Sequence, residues 1–272
     1  MDLKDVRSHW ENWADEYGTD LRATTKSTTA KIVEQAALRE AIKKHHDVSS
    51  RFSVLEVGCG NGHNCFSIEQ QFDHSDIVGV DYISQMVENA KSLATSYGST
   101  TRFLQGDVLQ LDKTSLPNQE FDLVFTVRCL INLCTDELQA AALENLVQRV
   151  AADGKLMMIE NFRGNHSKRN DLRESLGLEP RPAADFNHFM CRDLVTEKMH
   201  SLGFALIETT NFSSLHDILL YVLIPAVNGG VIEYEHPLVA AAAKLLEASS
   251  SNTMNSFGDY GQNVLLIFGR IA

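Results

Sequence analysis

The chain has 272 residues, 44% of them hydrophobic and 22% charged, the proportions of an ordinary globular protein with a sizeable core. Its 24 Lys and Arg against 36 Asp and Glu give a net charge of −12, a field that repels a phosphate backbone. The nearest basic stripe, Arg163 to Arg173, is short and broken by Asp171, so no nucleic-acid partner is expected.

Membrane and secretory readings are also disfavoured. The longest apolar run, Ile218–Val227, is about half the ~20 residues a span needs. The start, Met1 to Asp5, has no apolar stretch behind its charges, so it does not read as a secretory signal. Cys59, Cys65, Cys129, Cys134 and Cys191 show no paired CxxC spacing and read as reduced thiols of a cytoplasmic protein.

In chain order, residues 2–20 and 28–46 are predicted helices, the second with an apolar face (Ile32, Val33, Ala36, Ala37, Leu38, Ala41, Ile42) and a cap at Ser27 or Thr28. From residue 51 short apolar strands alternate with helices. Strands are expected at 53–57, 77–80, 102–105, 123–127 and 156–160, and helices near 63–72, 84–97 and 136–151, the last capped by Thr135 and stopped at Asp153-Gly154. That alternation predicts an α/β fold with a doubly wound, mostly parallel sheet. Residues 161–190 are polar, hold Pro180 and Pro182, and read as a long connection with one short helix near 167–176. A helix over 192–202 and strands over 205–212 and 264–270 complete the core. The segment 213–262 is too long for a hairpin turn and apolar enough to fold as a cap, with a helix started by Pro237. The expected organisation is a helical N-terminal cap (1–50), an α/β core (51–212 and 263–272) and an insertion (213–262) over the acceptor.

The chemistry concentrates at three strand ends. Gly58, Gly60 and Gly62 follow the first strand and precede a helix, where glycines permit a tight turn and close backbone approach to a ligand. The spacing is GxGxG, one residue shorter than the dinucleotide fingerprint, and Glu56 just before it would repel a pyrophosphate. Nineteen residues past Gly62, Asp81 ends the second strand, placed to accept hydrogen bonds from ribose hydroxyls. Gly106-Asp107-Val108 ends the third, where the carboxylate suits an adenine amino group and Val108 the ring face.

The segments VLEVGCGNGHN (54–64), VGVDYISQMVENA (78–90), FLQGDVLQL (103–111), FDLVFTVRCLINL (121–133) and LVQRVAADGKLMMIENF (146–162) resemble the successive motifs of class I S-adenosylmethionine-dependent methyltransferases. TVRCLINL and NSFGDYGQN (255–263) resemble those of bacterial surface-sugar and secondary-metabolite pathways. The resemblance implies a seven-stranded, Rossmann-like sheet with an antiparallel last strand and S-adenosylmethionine as cofactor. It places the glycine loop (Gly58, Cys59, Gly60, Asn61, Gly62, Asn64) and Glu56 near the methionine moiety and Asp81 on the ribose. Tyr82 and Met86 would flank the adenine, Gly106, Asp107 and Val108 would recognise its edge, and Val127 and Arg128 would lie beside the sulfonium. Tyr17 joins this cofactor set.

Methyl transfer from an activated sulfonium needs orientation first and a base only when the nucleophile must lose a proton. His188 and His216 are the candidate bases, since an imidazole suits proton uptake near neutrality; a surface or structural role is the commoner one for such a histidine. Trp10, Trp13 and Tyr17, at i, i+3 and i+7, form a lid or pack their helix on the core. Asn161, Arg163, Asn187, Tyr260 and Asn263 are candidate anchors for a polar acceptor. No metal-ligand cluster is recognisable. The readings left open are methyl transfer to O or N of a small polar metabolite such as a sugar or nucleotide sugar, a protein or peptide methylase, and a cofactor-binding regulatory module.

Overall fold

The computed structural model describes residues 2–271. Seven strands form one sheet in the order β3-β2-β1-β4-β5-β7-β6. They are β1 (Phe52–Val57), β2 (Ser75–Asp81), β3 (Arg102–Gln105), β4 (Phe121–Val127), β5 (Val150–Asn161), β6 (Phe204–Thr210) and β7 (Asn263–Arg270). All pairings are parallel except those of β7, which runs antiparallel to both β5 and β6. The doubly wound sheet with its reversed last strand is therefore as the sequence implied.

The sheet is apolar on both faces because alternate side chains on every central strand enter different cores. Val54, Phe125, Met157 and Ile267 point to one core, Leu55, Val124, Met158 and Phe268 to the other. The first core is covered by α2 (Thr28–His45), α3 (His63–Gln71), α4 (Ser84–Tyr97) and α10 (Pro237–Glu247), the second by α5 (Asp136–Val147) and α7 (Arg192–Ser201). At roughly 1.5–3 kcal/mol per fully buried large aliphatic side chain, these two layers supply the main driving force of folding.

Local signals set the helix starts. Ser27 accepts a hydrogen bond from the Ala30 amide at the start of α2, Thr135 does the same for Leu138 in α5, and Pro237 occupies the first turn of α10. α1 (Leu3–Tyr17) opens with a reciprocal capping box between Asp2 and Asp5. Two boundaries differ from expectation. α5 stops at Val147 and β5 begins at Val150, because the backbone from 150 onward pairs with β4 around a register shift between Phe121 and Leu123. α6 (Arg163–Ser175) starts directly after β5, so the connection is more helical than its polar composition suggested.

The N-terminal 50 residues do not act as a single cap. Val33, Leu38 and Ile42 of α2 sit in the first core with Val54 and Ile267, so α2 belongs to the sheet-covering layer, while α1 and the turn Leu21–Ala23 pack together outside it, against α4. Residues 213–262 fold as α8 (Ser214–Ile218), a π-helical turn (Leu219–Leu223), α9 (Ile224–Val227), α10 and α11 (Ser251–Asn255). Among the described residues no helix is long and apolar enough to cross a membrane.

Candidate active site

The strand order reverses between β1 and β4, and the carboxyl ends of β1–β4 open at that switch point into a cavity of about 460 Å³. Open α/β sheets bind ligands there, and the volume suits a small molecule.

The first half of the cavity is the glycine loop and the two strand-end acids. Gly58 and Gly60 have φ of 79° and 53°, a region that side chains with a Cβ disfavour. A Cβ on Gly58 would stand 2.6 Å from Cys129 Sγ, and one on Gly60 2.5 Å from Thr24 Cγ2. The protein's own packing thus demands these glycines as much as any ligand does. Asp81 is buried at the end of β2, where Oδ2 accepts from the Gly60 amide at 2.7 Å and Oδ1 from the Ile83 amide at 2.9 Å. Burial raises its pKa and those two N–H groups oppose the rise. Each oxygen keeps lone-pair capacity on the cavity side. Asp107 caps the 3-10 turn that follows β3 by accepting from the Leu109 amide, and also lines the cavity. Ile83, Met86 and Val108 form apolar walls there, with half-exposed Tyr82 at the rim.

The floor is a buried polar strip in which Lys31 and Glu34, not named as candidates from the sequence, join Asn64, Arg128, Asn161 and Asn263. Glu34 of α2 lies 2.8 Å from Arg128 Nε and 3.5 Å from Lys31 Nζ, and accepts from Asn263 Nδ2 at 2.9 Å. Asn263 in turn accepts from Asn161. Lys31 donates to Asn64 Oδ1 at 3.4 Å, and burial pulls its pKa down despite Glu34. Arg128 is, among the described residues, the non-glycine residue with positive φ, 53°, which costs about 1–2 kcal/mol. Glu160 holds the turn that follows it: it accepts from Thr126 Oγ1 at 2.8 Å and from the amides of Cys129, Leu130 and Ile131. Burial still pushes Glu160 up to about 7.

The roof over the second half comes from three segments. Trp10 and Trp13 of α1 line the cavity; Trp10 Nε1 donates to Asn132 Oδ1 at 3.0 Å, and the Trp10 ring meets Phe186 of the 176–191 connection edge-on at 5.6 Å. Asn187 and Arg181 of that connection, Asp217 and Tyr221 of the α8–α9 segment, and Tyr234 and Gln262 complete it.

Several residues expected in the site do not line the cavity. Glu56 is fully buried, accepting from Asn64 Nδ2 at 2.7 Å and Cys65 Sγ at 3.0 Å; burial raises its pKa to about 7 against those two hydrogen bonds and the charge of Lys31. Asn61 donates instead to the carbonyls of Gly18 and Asp20, Gly62 caps α3, and Tyr17 packs on Trp13 at 5.2 Å. His188 lies outside the cavity, hydrogen-bonded to Asp136 and Arg163 because the 176–191 connection turns its ring toward α5. Arg163 is committed to that same cluster and to the Phe189 carbonyl. His216 is buried behind the wall, 2.9 Å from Thr29 Oγ1 and 2.8 Å from Asp217. Tyr260 borders a separate shallow pocket beside Lys168 and Asp259. Trp10, Trp13, Asn161, Asn187 and Asn263 do reach the cavity, as do Gly58, Cys59, Gly60, Asn64, Asp81, Tyr82, Met86, Gly106, Asp107, Val108, Val127 and Arg128.

Residues 49–199, more than half the chain, match the family described as a methyltransferase domain. Ajmaline N-methyltransferase of Rauvolfia serpentina is 31% identical over 109 residues, 39% of this chain and 35% of that enzyme. A protein-lysine N-methyltransferase of Saccharomyces cerevisiae is 33% identical over 67 residues, 24% and 29% of the two chains. The matched stretch is thus about a third or less of these curated relatives. The magnesium protoporphyrin IX methyltransferase of Synechocystis PCC 6803, solved with S-adenosylmethionine, superposes with a TM-score of 0.59 at 14% identity, covering 99% of this chain and 97% of the other. Its likeness is one of fold. With the family match and the sheet order, it establishes that the chain belongs to the class I S-adenosylmethionine-dependent methyltransferases.

Proposed function

We propose that this chain transfers the methyl group of S-adenosylmethionine to an oxygen or nitrogen of a small polar metabolite, with a sugar or nucleotide sugar as the favoured acceptor. The observation that carries this reading is the two-part cavity. An acidic, glycine-floored half at the ends of β1–β3 runs into a half roofed by α1, the 176–191 connection and the α8–α9 segment. A roof on three sides suits a small acceptor better than a peptide, whose chain must continue out of the site.

In this reading Asp81 accepts from the ribose hydroxyls with the lone pairs its two backbone bonds leave free. Asp107 accepts from the adenine amino group between Tyr82, Met86 and Val108, and the loop from Gly58 to Gly60 carries the methionine part above Lys31 and Asn64. The bound cofactor supplies a methyl carbon already made electrophilic by its sulfonium. The protein's share is to orient the acceptor beside Val127 and Arg128 and to exclude water with the Trp10–Phe186 contact. With His188 and His216 outside the cavity, a nucleophile that needs no histidine base, an unprotonated amine or an already ionised oxygen of such a metabolite, fits best.

The test is incubation with methyl-labelled S-adenosylmethionine and separate pools of sugars, nucleotide sugars, small amines and unfolded proteins. Label in a small-molecule pool supports the reading. Label in protein alone favours the peptide methylase, and no transfer by a chain that binds the donor favours a regulatory module.

A further inference from the structure

The roofed half of the cavity has an unbalanced charge. Arg169 and Arg173 lie four residues apart on α6 and so share a face; both are buried, Arg169 completely. The Arg169 guanidinium carbon stands 4.9 Å from the centre of the Tyr221 ring, and that of Arg181 stands 4.3 Å from the same ring. Arg173 donates to the backbone carbonyls of Tyr221 and Glu179. Three guanidinium groups therefore surround one tyrosine. Among the described residues, the carboxylate within 4 Å of any of them is Asp217, 3.4 Å from Arg169 Nη1. Asp217 is also bonded to His216 and to the Gln262 amide, so its charge is already shared.

The excess positive charge, inside a chain whose net charge is −12, is costly where Arg169 and Arg173 hold it away from water. The structure registers the cost. Burial, together with repulsion from Arg181, draws the pKa of Arg173 down, and burial does the same to Arg169. Nearby His166 is lowered by burial and then by Arg169 and Arg181. Of the three arginines, Arg181 lines the cavity, alongside Tyr221, Asp217 and Gln262. Its Nη1 donates to Gln262 Oε1 at 3.2 Å, while Nε and Nη2 donate to no protein group among the described residues. A guanidinium with a free pair of donors is the geometry that grips an oxyanion at two points.

We propose that the acceptor carries an oxyanion, a carboxylate or a phosphate, which docks on Arg181 beside Gln262 and supplies the countercharge this cluster lacks. This rests on the methyl-transfer reading above and narrows its acceptor. Arg169 and Arg173 act from behind, as a positive field that Asp217 half cancels. An uncharged acceptor would leave that field uncompensated.

The experiment titrates the chain, with and without saturating S-adenosylhomocysteine, with inorganic phosphate and separately with acetate at constant ionic strength. Fluorescence of Trp10 and Trp13, which line the same cavity, and the melting temperature are followed. A saturable response to one anion is expected, phosphate marking a phosphate-bearing acceptor and acetate a carboxylate. Arg181→Gln should weaken that response at least tenfold and leave S-adenosylhomocysteine affinity unchanged, with Arg181→Lys intermediate because it keeps the charge without the fork. No saturable response to either anion, or equal responses in wild type and Arg181→Gln, would overturn the proposal. Failure to bind S-adenosylhomocysteine would strike the donor reading instead, and the anion titration of the unloaded chain still decides this one.

Discussion

Replacing Glu56 by glutamine should make the protein relatively more stable as the pH rises. Glu56 is sealed behind the glycine loop, and its carboxyl is raised from 4.5 to about 7, first by burial, against opposing hydrogen bonds from Cys65 and Asn64. A folded-state pKa above the unfolded value means that the group's contribution is whole below about 4.5 and is lost as the pH climbs through about 7. The full displacement corresponds to about 3 kcal/mol, of which about 2 kcal/mol falls between pH 5.5 and 8. Glutamine has no such slope. It can still accept from Asn64 but gives up the Cys65 hydrogen bond, a loss of about 1 kcal/mol at any pH. Urea unfolding of both proteins at pH 5.5 and pH 8 should therefore show the stability of Glu56→Gln, relative to wild type, improving by about 2 kcal/mol. Glu160, also near 7, contributes its slope to both proteins and cancels. A stability difference, variant minus wild type, that stays constant or falls from pH 5.5 to pH 8 would refute the buried, uncompensated carboxyl. A tenfold loss of S-adenosylhomocysteine affinity in the variant would return to Glu56 the ligand contact its position in the motif suggested.

Gly58→Ala should lower stability by about 2–4 kcal/mol, from the left-handed backbone and from a Cβ driven against Cys129; thermal unfolding measures it, and an unchanged melting temperature would show that the loop is looser than described. His188→Ala should keep methyl transfer within about threefold of wild type, since that ring faces Asp136 and Arg163 outside the cavity; a loss beyond a hundredfold would place a base there after all. His216→Ala should instead lower stability by about 1–3 kcal/mol, the cost of leaving Asp217 and Thr29 short of a buried partner, a change read by denaturant titration.

The fold was legible because its signals are local and repeated. Strand-length apolar runs, the caps at Ser27 and Thr135, and Pro237 at the head of α10 each act within a few residues of themselves. The strand-end acids Asp81 and Asp107 were legible for the same reason: topology alone brings consecutive strand ends together. Side-chain direction was not. Glu56 and Asp81 both sit near strand ends, yet one faces α3 and the other the cavity, and that choice depends on which neighbours offer N–H groups. His188 and His216 were singled out by residue type, which carries no information about facing. Lys31 and Glu34 did leave a signal. They fall on the same helical stripe as Leu38, Ala41 and Ile42, and two charges on an apolar stripe mark a buried polar site. The arginine cluster around Tyr221 joins α6, the 176–191 connection and the α8–α9 segment. Contacts between segments 40 to 52 residues apart leave no periodic trace in sequence.

Calorimetric titration of wild type and Asp81→Ala with S-adenosylhomocysteine tests the central claim most directly. Asp81 offers its remaining lone pairs to the cavity, so removing it should forfeit about 1.5–3 kcal/mol of charge-assisted hydrogen bonding, a loss of roughly tenfold to a hundredfold in affinity. The account predicts one site per chain in wild type and that weakening in Asp81→Ala, with the variant still folded by circular dichroism. No binding to wild type, or equal affinity in a folded Asp81→Ala, would contradict it.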